Sequence, residues 1–327
     1  MRRADEWGEA SVVGVRDLTE EIREISLAPD GGAEAYRSGA HLRVRVQLAD
    51  GHWELRHYSL IGAAPRDGTW RIAVKRESAG RGGSRWMHAL AVDARLDVAA
   101  PASHFELSPD CRSALLIAGG IGVTPLVGMA ERLVARGANV RMIQAARCRD
   151  ALAYGAELSA LLQDGYATVI DDEGARIDFA AAFAALPAAG ECYVCGPAGM
   201  MAAARDAWRA AARPADRLRF ETFGGTGAAA RPFTVRLPAL GRDIEVPADR
   251  SMLDALEQAG VDVLSDCRRG ECGLCAVDVL DCDSRIEHHD VFFSVEQQAE
   301  GRRLCACVSR AAGGTISIDT YWRANPG

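Results

Sequence analysis

CRRGECGLC, residues 267–275, carries three cysteines in a C-x4-C-x2-C spacing. With a further cysteine downstream, this is the spacing of plant-type 2Fe–2S sites, in which several thiolates converge on two neighbouring irons from one short loop. Gly270 and Gly273 are expected to supply positive-φ turns that let backbone N–H groups approach the sulfurs. We expect Arg268 and Arg269 to offset the charge of the thiolates. The loop therefore predicts an iron–sulfur cluster.

Two questions about this site stay open from the residues alone. Structural zinc sites usually pair two C-x2-C knuckles, whereas this loop has one knuckle and an isolated third cysteine, so the cluster is favoured over zinc. The fourth ligand could be either Cys305 or Cys307, which both lie in the segment LCACVSRA. The remaining cysteines are expected to be small buried residues rather than ligands: Cys111, Cys148, Cys192, Cys195 and Cys282.

The composition excludes several functional classes. A chain of 327 residues, 49% hydrophobic and 25% charged, is globular and long enough for two or three domains. Its net charge of −7 leaves no basic face for nucleic acid, and residues 231–327, with 16 acidic and 11 basic residues, carry −5 of it. The start, MRRADEWGEA, lacks the apolar core of a signal peptide. Ten cysteines without such a signal suggest a reducing cytoplasm.

No membrane span is expected either. The most apolar window, residues 114–130, is interrupted by glycines and by Pro125, so it predicts a strand, a turn and a helix. After Pro109, strand-like segments such as SALLIA, NVRMIQAA and ECYVCG alternate with helical ones. This alternation predicts a parallel α/β sheet.

The segment from about residue 11 to residue 107 predicts a small antiparallel β-barrel. HLRVRVQL (41–48) and WRIAVKRE (70–77) alternate apolar and polar residues, and turn signals separate such runs. Several short strands at this spacing are typical of a closed antiparallel sheet.

Two stretches of the predicted barrel offer groups for a phosphate and a flat ring. In RHYSL (56–60), Arg56 could bind a phosphate, Tyr58 could pack against a ring and Ser59 could hydrogen-bond it, although such a segment is more often ordinary sheet surface. The glycine-rich turn GRGGS (80–84) enters a helix, and its amides and the Ser84 hydroxyl suit a phosphate.

Two strand-to-helix turns mark the predicted parallel sheet. IAGGIGVTP (117–125) and YVCGPAGM (193–200) each turn from a strand into a helix, whose N-terminal N–H groups can hold a pyrophosphate. One glycine turn is weak evidence, but two at the carboxyl ends of parallel strands mark where a dinucleotide binds an open sheet. Cys195 is either a buried small residue or a thiol beside a nicotinamide, and the second reading is slightly favoured.

The last third of the chain predicts a separate compact unit. GGTGAAARP (224–232) is a small, flexible linker that ends at Pro232. Beyond it, FTVRL and DIEVP predict a hairpin, and Ser251 is expected to cap a helix that stops at Gly260. The cysteine loop follows, and the final strand is TISID.

Taken together, these segments resemble the phthalate dioxygenase reductase family, and vanillate demethylase reductases in particular. The resemblance covers nearly the whole chain and rests on RHYSL, GRGGS, AGGIGVTP, YVCGP, FETFG (220–224), CRRGECGLC and CVSRA. It implies a multidomain fold with an antiparallel β-barrel flavin domain (1–110) and an α/β parallel-sheet nucleotide domain of ferredoxin–NADP reductase type (111–225). An α+β, β-grasp plant-type ferredoxin domain (232–327) completes it. Where the family usually has Asp-His-Arg-Asp, this chain has His288-His289-Asp290, which we take as a harmless departure because no ligand lies there.

The resemblance also implies roles for individual residues. Those expected to bind FMN lie in RHYSL, on the strand before GRGGS and in that turn: Arg56, His57, Tyr58, Ser59, Ala73, Val74, Lys75, Gly82, Gly83 and Ser84. Those expected to bind the dinucleotide lie in the two strand-to-helix turns: Gly119, Gly120, Gly122, Gly196 and Pro197. Thr124 and Phe223 match positions near both rings and form, with Cys195, the candidate catalytic set. The implied cluster ligands are Cys267, Cys272, Cys275 and Cys307.

The implied activity is electron transfer from NADH through FMN and a 2Fe–2S cluster. NADH gives two electrons together and the cluster takes one at a time, so flavin must stand between them, and no side chain need act as an acid or base. The expected partner is a terminal oxygenase, of Rieske type and acting on an aromatic or similar small substrate; a cytochrome P450 or another acceptor is the alternative. A zinc-stabilised binding module on an inactive reductase scaffold is an alternative of another class. We expect a monomer that prefers NADH, although Arg147 and Arg149 could welcome a 2′-phosphate that Asp150 would disfavour.

Overall fold

The computed structural model divides the chain into two compact units, Met1–Glu221 and Thr222–Gly327. It describes residues 7–78, 80–103, 105–223, 231–248, 250–268, 270 and 272–321. Residues 224–230 of the predicted linker, and Arg269 of the cysteine loop, lie outside the described residues. Within those ranges, no helix combines the length and the apolar character needed to cross a membrane.

The first unit begins with the predicted antiparallel barrel. Its strands and its one helix are β1 (Trp7–Asp17), β2 (Ile22–Pro29), β3 (Ala40–Gln47), β4 (Trp53–Ser59), β5 (Trp70–Lys75), α1 (Gly83–His88), β6 (Arg95–Ala99) and β7 (Ala102–Ser103). The sheet order is β4-β3-β6-β1-β2-β5, with β7 beside β3. An antiparallel bridge between Leu60 and Ile72 joins its two ends and nearly closes it. The alternation of side chains sends Leu42, Val44 and Val46 of β3 into the barrel core.

The same unit continues into the predicted parallel sheet. Its elements are β8 (Ser113–Gly119), α2 (Val123–Ala135), β9 (Asn139–Ala146), α3 (Gly155–Leu162), β10 (Tyr166–Ile170), α4 (Phe179–Ala184), β11 (Glu191–Cys195), α5 (Ala198–Ala210) and β12 (Leu218–Glu221). The order is β10-β9-β8-β11-β12, and all neighbouring strands are parallel. The strand order reverses between β8 and β11, and open α/β sheets bind ligands at such a switch point.

The barrel and the parallel sheet pack directly against each other. The Ser38 hydroxyl donates a 3.0 Å hydrogen bond to the Gly128 carbonyl of α2. A Cβ at Gly128 would lie 2.2 Å from the Gly62 carbonyl oxygen, so only glycine allows α2 to approach the loop after β4 this closely. The Tyr154 hydroxyl donates a 2.8 Å bond to the buried Glu24 carboxylate of β2. These contacts fix the RHYSL strand relative to the carboxyl edge of the parallel sheet.

The second unit is built around a mixed five-stranded sheet. Its elements are β13 (Phe233–Leu237), β14 (Arg242–Val246), α6 (Met252–Gln258), β15 (Ala276–Cys282), β16 (Ile286–Glu287), α7 (Val295–Glu300), β17 (Arg303–Cys305), β18 (Arg310–Ala311) and β19 (Thr315–Asp319). The order is β14-β13-β19-β15-β17, in which only β13 and β19 are parallel, and β16 pairs with β18. With α6 packed through its buried leucines, this is the predicted β-grasp arrangement.

The predicted hairpin and helix cap of this unit are confirmed, whereas one of its helices was not predicted. The predicted hairpin is confirmed as β13 and β14. The Ser251 hydroxyl accepts a 3.0 Å bond from the Asp254 N–H, which confirms the predicted helix cap, and Gly260 has a φ of +71° after the helix. Helix α7 was not predicted from the sequence, although Ser294 and Gln297 form a capping box, which is a sequence signal for the start of a helix.

Candidate functional site

The cysteine loop is shaped by its two glycines. Gly270 and Gly273 have φ values of +75° and +72°, which confirms the predicted positive-φ turns. A Cβ at Gly273 would lie 2.3 Å from the ring of Phe292, and one at Gly270 would lie 2.6 Å from the Val308 side chain and 2.8 Å from the Asp290 Cα. Both positions therefore require glycine for the backbone conformation and for the space.

The described thiols of the site are gathered in two groups, one of two thiols and one of three. The Cys272 N–H donates to the Cys267 sulfur at 3.4 Å, and hydrogen bonding to that thiol lowers the pKa of Cys272 to about 6. The Cys275 sulfur lies within hydrogen-bonding reach of the thiols of Cys305 and Cys307, and these bonds lower the pKa of Cys275. The same bonds, together with burial, raise the pKa values of Cys305 and Cys307. Each group thus favours one thiolate before any metal is considered.

Two groups of thiols suit a binuclear cluster. Four cysteines hold two irons in a 2Fe–2S site, so that each iron takes two thiolates, whereas a zinc ion needs four donors around one point. The donor set and its arrangement in two groups therefore fit two metal atoms.

The surroundings of Cys305 and Cys307 differ. The Cys307 sulfur accepts a hydrogen bond from the Gly270 N–H and interacts electrostatically with both Cys275 and Cys267. Cys305 is fully buried at the end of β17, opposite Ala276, and its charge interactions are with Cys275, Cys307 and Asp290. Cys307 therefore faces both halves of the loop, which supports it as the fourth ligand, and the assignment stays a prediction.

Arg268 has a different role from the one expected. Its guanidinium lies 3.1 Å from the Asp254 carboxylate and 2.5 Å from the Glu257 carboxylate of α6. Its charge still interacts with Cys307. The positive charge of Arg268, which we expected to offset the thiolates, is therefore shared with two acidic residues. Arg268 mainly connects the loop to α6.

The barrel brings two of its predicted phosphate-binding stretches together. Arg56 lies on β4, and a Cβ at Gly83 of the GRGGS turn would lie 3.7 Å from its Nε atom. Gly82 has a φ of +108° and sits against the Ala49 backbone. The Ser84 hydroxyl accepts a 3.0 Å bond from the Glu77 N–H, so its own proton stays available to an anion. Separate segments of the sequence thus converge on one place.

Glu54 is a member of this cluster that sequence reasoning missed. Its carboxylate lies 2.6 Å from Arg56 and also contacts Arg81, the second residue of GRGGS. Its position two residues before Arg56, on the same face of a strand, was the available signal. Glu54 thus holds both guanidinium groups beside the turn.

The other predicted FMN residues flank this cluster on β4 and β5. Ala73 and Val74 are buried on β5, and Lys75 at its end lies 3.3 Å from the Glu77 carboxylate. His57 stacks obliquely on His41, with 4.9 Å between the ring centroids. Burial raises the pKa of Tyr58, so its hydroxyl stays protonated and available as a donor.

The two strand-to-helix turns meet at the switch point of the parallel sheet. A Cβ at Gly122 would lie 2.2 Å from the Cys195 carbonyl oxygen, and one at Gly196 would lie 3.0 Å from the Gly119 nitrogen. Gly119 in turn sits against Pro197, and Gly120 has a φ of +55°. The dinucleotide residues predicted from distant segments therefore form one continuous glycine-lined edge.

The predicted catalytic residues lie in unlike environments. Thr124 is buried, and its hydroxyl donates a 2.9 Å bond to the Ile121 carbonyl. Cys195 is fully buried at the end of β11, opposite Glu221 of β12. Phe223 is partly exposed, follows β12 by two residues and belongs to the second unit.

Glu221 is a second residue that the sequence did not reveal. It is fully buried, and its carboxylate accepts a 3.4 Å bond from the Ser59 hydroxyl of the RHYSL strand. It therefore links the candidate flavin and nucleotide stretches. An acidic residue between Phe220 and Phe223 was the signal that could have identified it.

The five cysteines outside the cluster have two kinds of environment. Cys111, Cys192 and Cys195 are buried, as predicted, and burial raises the pKa of Cys111 to about 11. Cys148 and Cys282 are only partly buried, so the prediction of buried residues was wrong for these two. Cys148 follows β9 by two residues, and Cys282 is the last residue of β15.

Comparisons with known proteins identify two domain families in the chain. The 2Fe-2S iron-sulfur cluster binding domain family matches residues 237–312, and the oxidoreductase NAD-binding domain family matches residues 116–206. A putative toluene-4-sulfonate monooxygenase system reductase subunit of Comamonas testosteroni is 38% identical, over 92% of this chain and 94% of that protein. The phthalate dioxygenase reductase of Burkholderia cepacia is 33% identical, over 92% of this chain and 94% of its own length.

Two solved structures are also similar. A phthalate dioxygenase reductase, described as a modular structure for electron transfer from pyridine nucleotides to 2Fe–2S, superposes with a TM-score of 0.75. It is 31% identical and covers 96% of this chain and 98% of that one. An intact type IV self-sufficient cytochrome P450 monooxygenase has a TM-score of 0.66 and 32% identity, over 95% of this chain and 41% of that one.

Proposed function

The chain belongs to the phthalate dioxygenase reductase family, and on that premise we propose that it is the reductase component of an oxygenase system. It is an oxidoreductase with NADH, FMN and a 2Fe–2S cluster as its redox groups. FMN supplies the conversion between the two-electron chemistry of NADH and the one-electron chemistry of the cluster. The grouping of the described thiols around Cys267 and Cys275 is the observation that carries the proposal, because a cluster held there gives the chain a one-electron outlet.

In this proposal the side chains bind and orient, and none needs to transfer a proton. Arg56, the amides of Gly82 and Gly83, and the Ser84 hydroxyl hold a flavin phosphate. The protonated Tyr58 hydroxyl keeps a donor beside the ring. The glycine-lined edge from Gly119 to Pro197 lets a pyrophosphate approach the backbone without steric conflict. Thr124 and Cys195 of the first unit are assigned to the place of hydride transfer, and Phe223 stays a candidate on the family resemblance alone.

The proposed limits of the three functional domains are residues 1–110, 111–225 and 232–327. The first two pack as one unit through α2 and the loop after β4, and the third has its own core. We place the protein in the cytoplasm as a monomer.

The proposed acceptor is a terminal oxygenase of Rieske type that acts on an aromatic or similar small substrate. The names of the two relatives, a toluene-4-sulfonate monooxygenase reductase subunit and a phthalate dioxygenase reductase, support an oxygenase that receives electrons from a separate chain. The ferredoxin unit, with its net charge of −5, offers a negative surface to such a partner.

A haem acceptor is the second candidate. The self-sufficient cytochrome P450 matches 95% of this chain with 41% of its own length, so a homologous reductase occurs there fused to a P450. In that case the chain would deliver the same single electrons to a haem iron.

Metal and flavin analysis of the purified protein tests the proposal first. We expect about two irons per chain and FMN released by acid, together with reduction of ferricyanide by NADH. Zinc in place of iron, or FAD in place of FMN, would contradict the corresponding assignment. The reduced protein is then mixed with a Rieske oxygenase and with a cytochrome P450 under CO. Fast reduction of the Rieske centre, seen by EPR, supports the first acceptor, and fast formation of the CO-bound ferrous haem supports the second.

A further inference from the structure

Asp290 is a buried carboxylate that the proposed electron path does not yet use. Its side chain is fully enclosed and accepts hydrogen bonds from the Phe293 N–H and the Ser309 hydroxyl, each at 2.9 Å. Gln298 donates to it at 3.4 Å, and the His288 Nδ1 atom lies 3.5 Å away. Burial alone would raise the pKa of Asp290, but the nearby His288 and the hydrogen bonds from Phe293 and Ser309 outweigh it and hold the pKa below its usual value. Asp290 is therefore ionised at neutral pH.

The backbone around Asp290 holds the turn of the cysteine loop. The N–H groups of Val291 and Phe292 donate to the Gly270 carbonyl at 3.0 and 3.1 Å. A Cβ at Gly270 would lie 2.8 Å from the Asp290 Cα, so the two backbones are in direct contact. The N–H of the same Gly270 reaches the Cys307 sulfur. The 290–292 segment thus fixes the peptide that points at a proposed ligand.

The carboxylate contacts the other arm of the site as well. Ser309, which donates to Asp290, follows Cys307 by two residues, and its N–H donates a 3.0 Å bond to the Cys305 carbonyl. The charge of Asp290 also acts on the Cys305 thiol. Asp290 therefore bridges the loop that supplies three ligands and the segment that supplies the fourth. The sequence reading that treated His288-His289-Asp290 as harmless missed this connection.

We propose that Asp290 is a positioning residue for the 2Fe–2S cluster, which fixes the Gly270 peptide against Cys307 and lowers the reduction potential of the cluster through its buried negative charge. This rests on the cluster assigned under the proposed function. A buried negative charge disfavours the addition of an electron nearby, because little water screens it. Hydrogen bonds to the sulfurs and nearby charge are known determinants of cluster potential.

Asp290→Asn tests the charge with little change of shape. The asparagine oxygen can still accept from the Phe293 N–H, and the Ser309 hydroxyl can rotate to accept from the new amide. The matched control is Asp281→Asn, which removes an exposed carboxylate from β15 in the same unit. Ser309→Ala makes the converse change, because it keeps the Asp290 charge and removes one hydrogen-bond donor to that carboxylate.

The midpoint potential of each variant is measured by redox titration followed by EPR at pH 8.5, where ordinary imidazoles are uncharged. In Asp290→Asn we expect the equilibrium constant for reduction of the cluster to rise about tenfold, which corresponds to a midpoint potential about 59 mV higher for one electron. The g-values of the EPR signal should change as well. In Ser309→Ala we expect a shift to lower potential, and Asp281→Asn should stay within twofold of the wild type.

Equal potentials for the wild type and Asp290→Asn would overturn the proposal. If Asp290→Asn cannot hold the cluster, Ser309→Ala decides, and an unchanged or higher potential there overturns it. The proposed function is judged separately, from the cluster signal and the NADH–ferricyanide activity of the wild type. A normal wild type with unshifted variants contradicts only the role of Asp290.

Discussion

Arg149 and Glu173 form a two-point ion pair at the carboxyl edge of the parallel sheet, with Nε–Oε1 and Nη2–Oε2 distances of 2.6 and 2.8 Å. Arg149 follows β9 and Glu173 follows β10, the two strands on one side of the switch point. In dinucleotide folds, the residues after the second strand of the sheet distinguish a ribose 2′-OH from a 2′-phosphate. The Arg149 guanidinium could bind a 2′-phosphate, but it is already paired with the Glu173 carboxylate, which repels a phosphate.

Glu173→Gln should raise kcat/KM for NADPH about fivefold and leave that for NADH within twofold. One unit charge at contact distance in water corresponds to about 1 kcal/mol, and 1.36 kcal/mol is tenfold in rate. Ferricyanide reduction with each nucleotide measures both constants. Asp171→Asn is the control, because it removes a carboxylate two residues away that pairs with Arg176 instead. An equal gain in kcat/KM for NADPH in Glu173→Gln and Asp171→Asn would show a general effect of removing negative charge, rather than the release of Arg149 from its partner.

Gly273→Ala should abolish or sharply reduce cluster binding. A Cβ there would lie 2.3 Å from the Phe292 ring, and a side chain at a φ of +72° would also strain the backbone. Gly241→Ala is the matched control, since Gly241 has a φ of +59° but no atom within 4 Å of its Cβ position. Backbone strain alone costs about 1–2 kcal/mol, so the control should keep its iron and lose only some thermal stability. Iron content and visible absorption decide; normal iron in Gly273→Ala would contradict the close contact with Phe292.

Cys307→Ser should lose the cluster absorption and the EPR signal of the reduced state, whereas Cys305→Ser should keep both and FMN should remain in each. Contacts with Gly270 and with both halves of the loop distinguish Cys307 from the more enclosed Cys305. The opposite pattern would move the fourth ligand to Cys305. Survival of the cluster in both single variants would show that either thiol can complete it.

Ending the chain after Ala230, at the close of the predicted linker, should leave a working flavin reductase. Residues 1–221 form a compact unit with their own barrel and sheet cores. The fragment should reduce ferricyanide with NADH at a rate close to that of the full chain and pass few electrons to cytochrome c. Cytochrome c reduction at the full rate would show that the cluster is not on the electron path.

Most elements were predictable because their signals are local. The alternation in β3 and β5, the Ser251 cap and the glycine turn at Gly270 each depend on neighbouring residues, and each appears where the pattern placed it. These features follow from backbone geometry over a few residues.

The residues that were missed depend on tertiary contacts. Glu221 meets Ser59 across 162 positions of the chain, and Asp290 contacts Gly270 although β15 and β16 lie between them in sequence. Neither contact can be inferred without the strand order and the packing of the loop. The same limit applied to Arg268, whose partners on α6 precede it by more than ten residues.

Electron delivery to the partner should weaken as the salt concentration rises. Residues 231–327 have 16 acidic and 11 basic residues, and the thiolates of a bound cluster add to this negative field. The Debye length falls from about 30 Å at 0.01 M to about 8 Å at 0.15 M salt, so attraction to a basic patch on an oxygenase loses its range. NADH–ferricyanide turnover uses a small acceptor and should change less over the same range. Stopped-flow reduction of the oxygenase at increasing ionic strength measures the effect, and a rate that stays constant from low to high salt would argue for docking through apolar contacts instead.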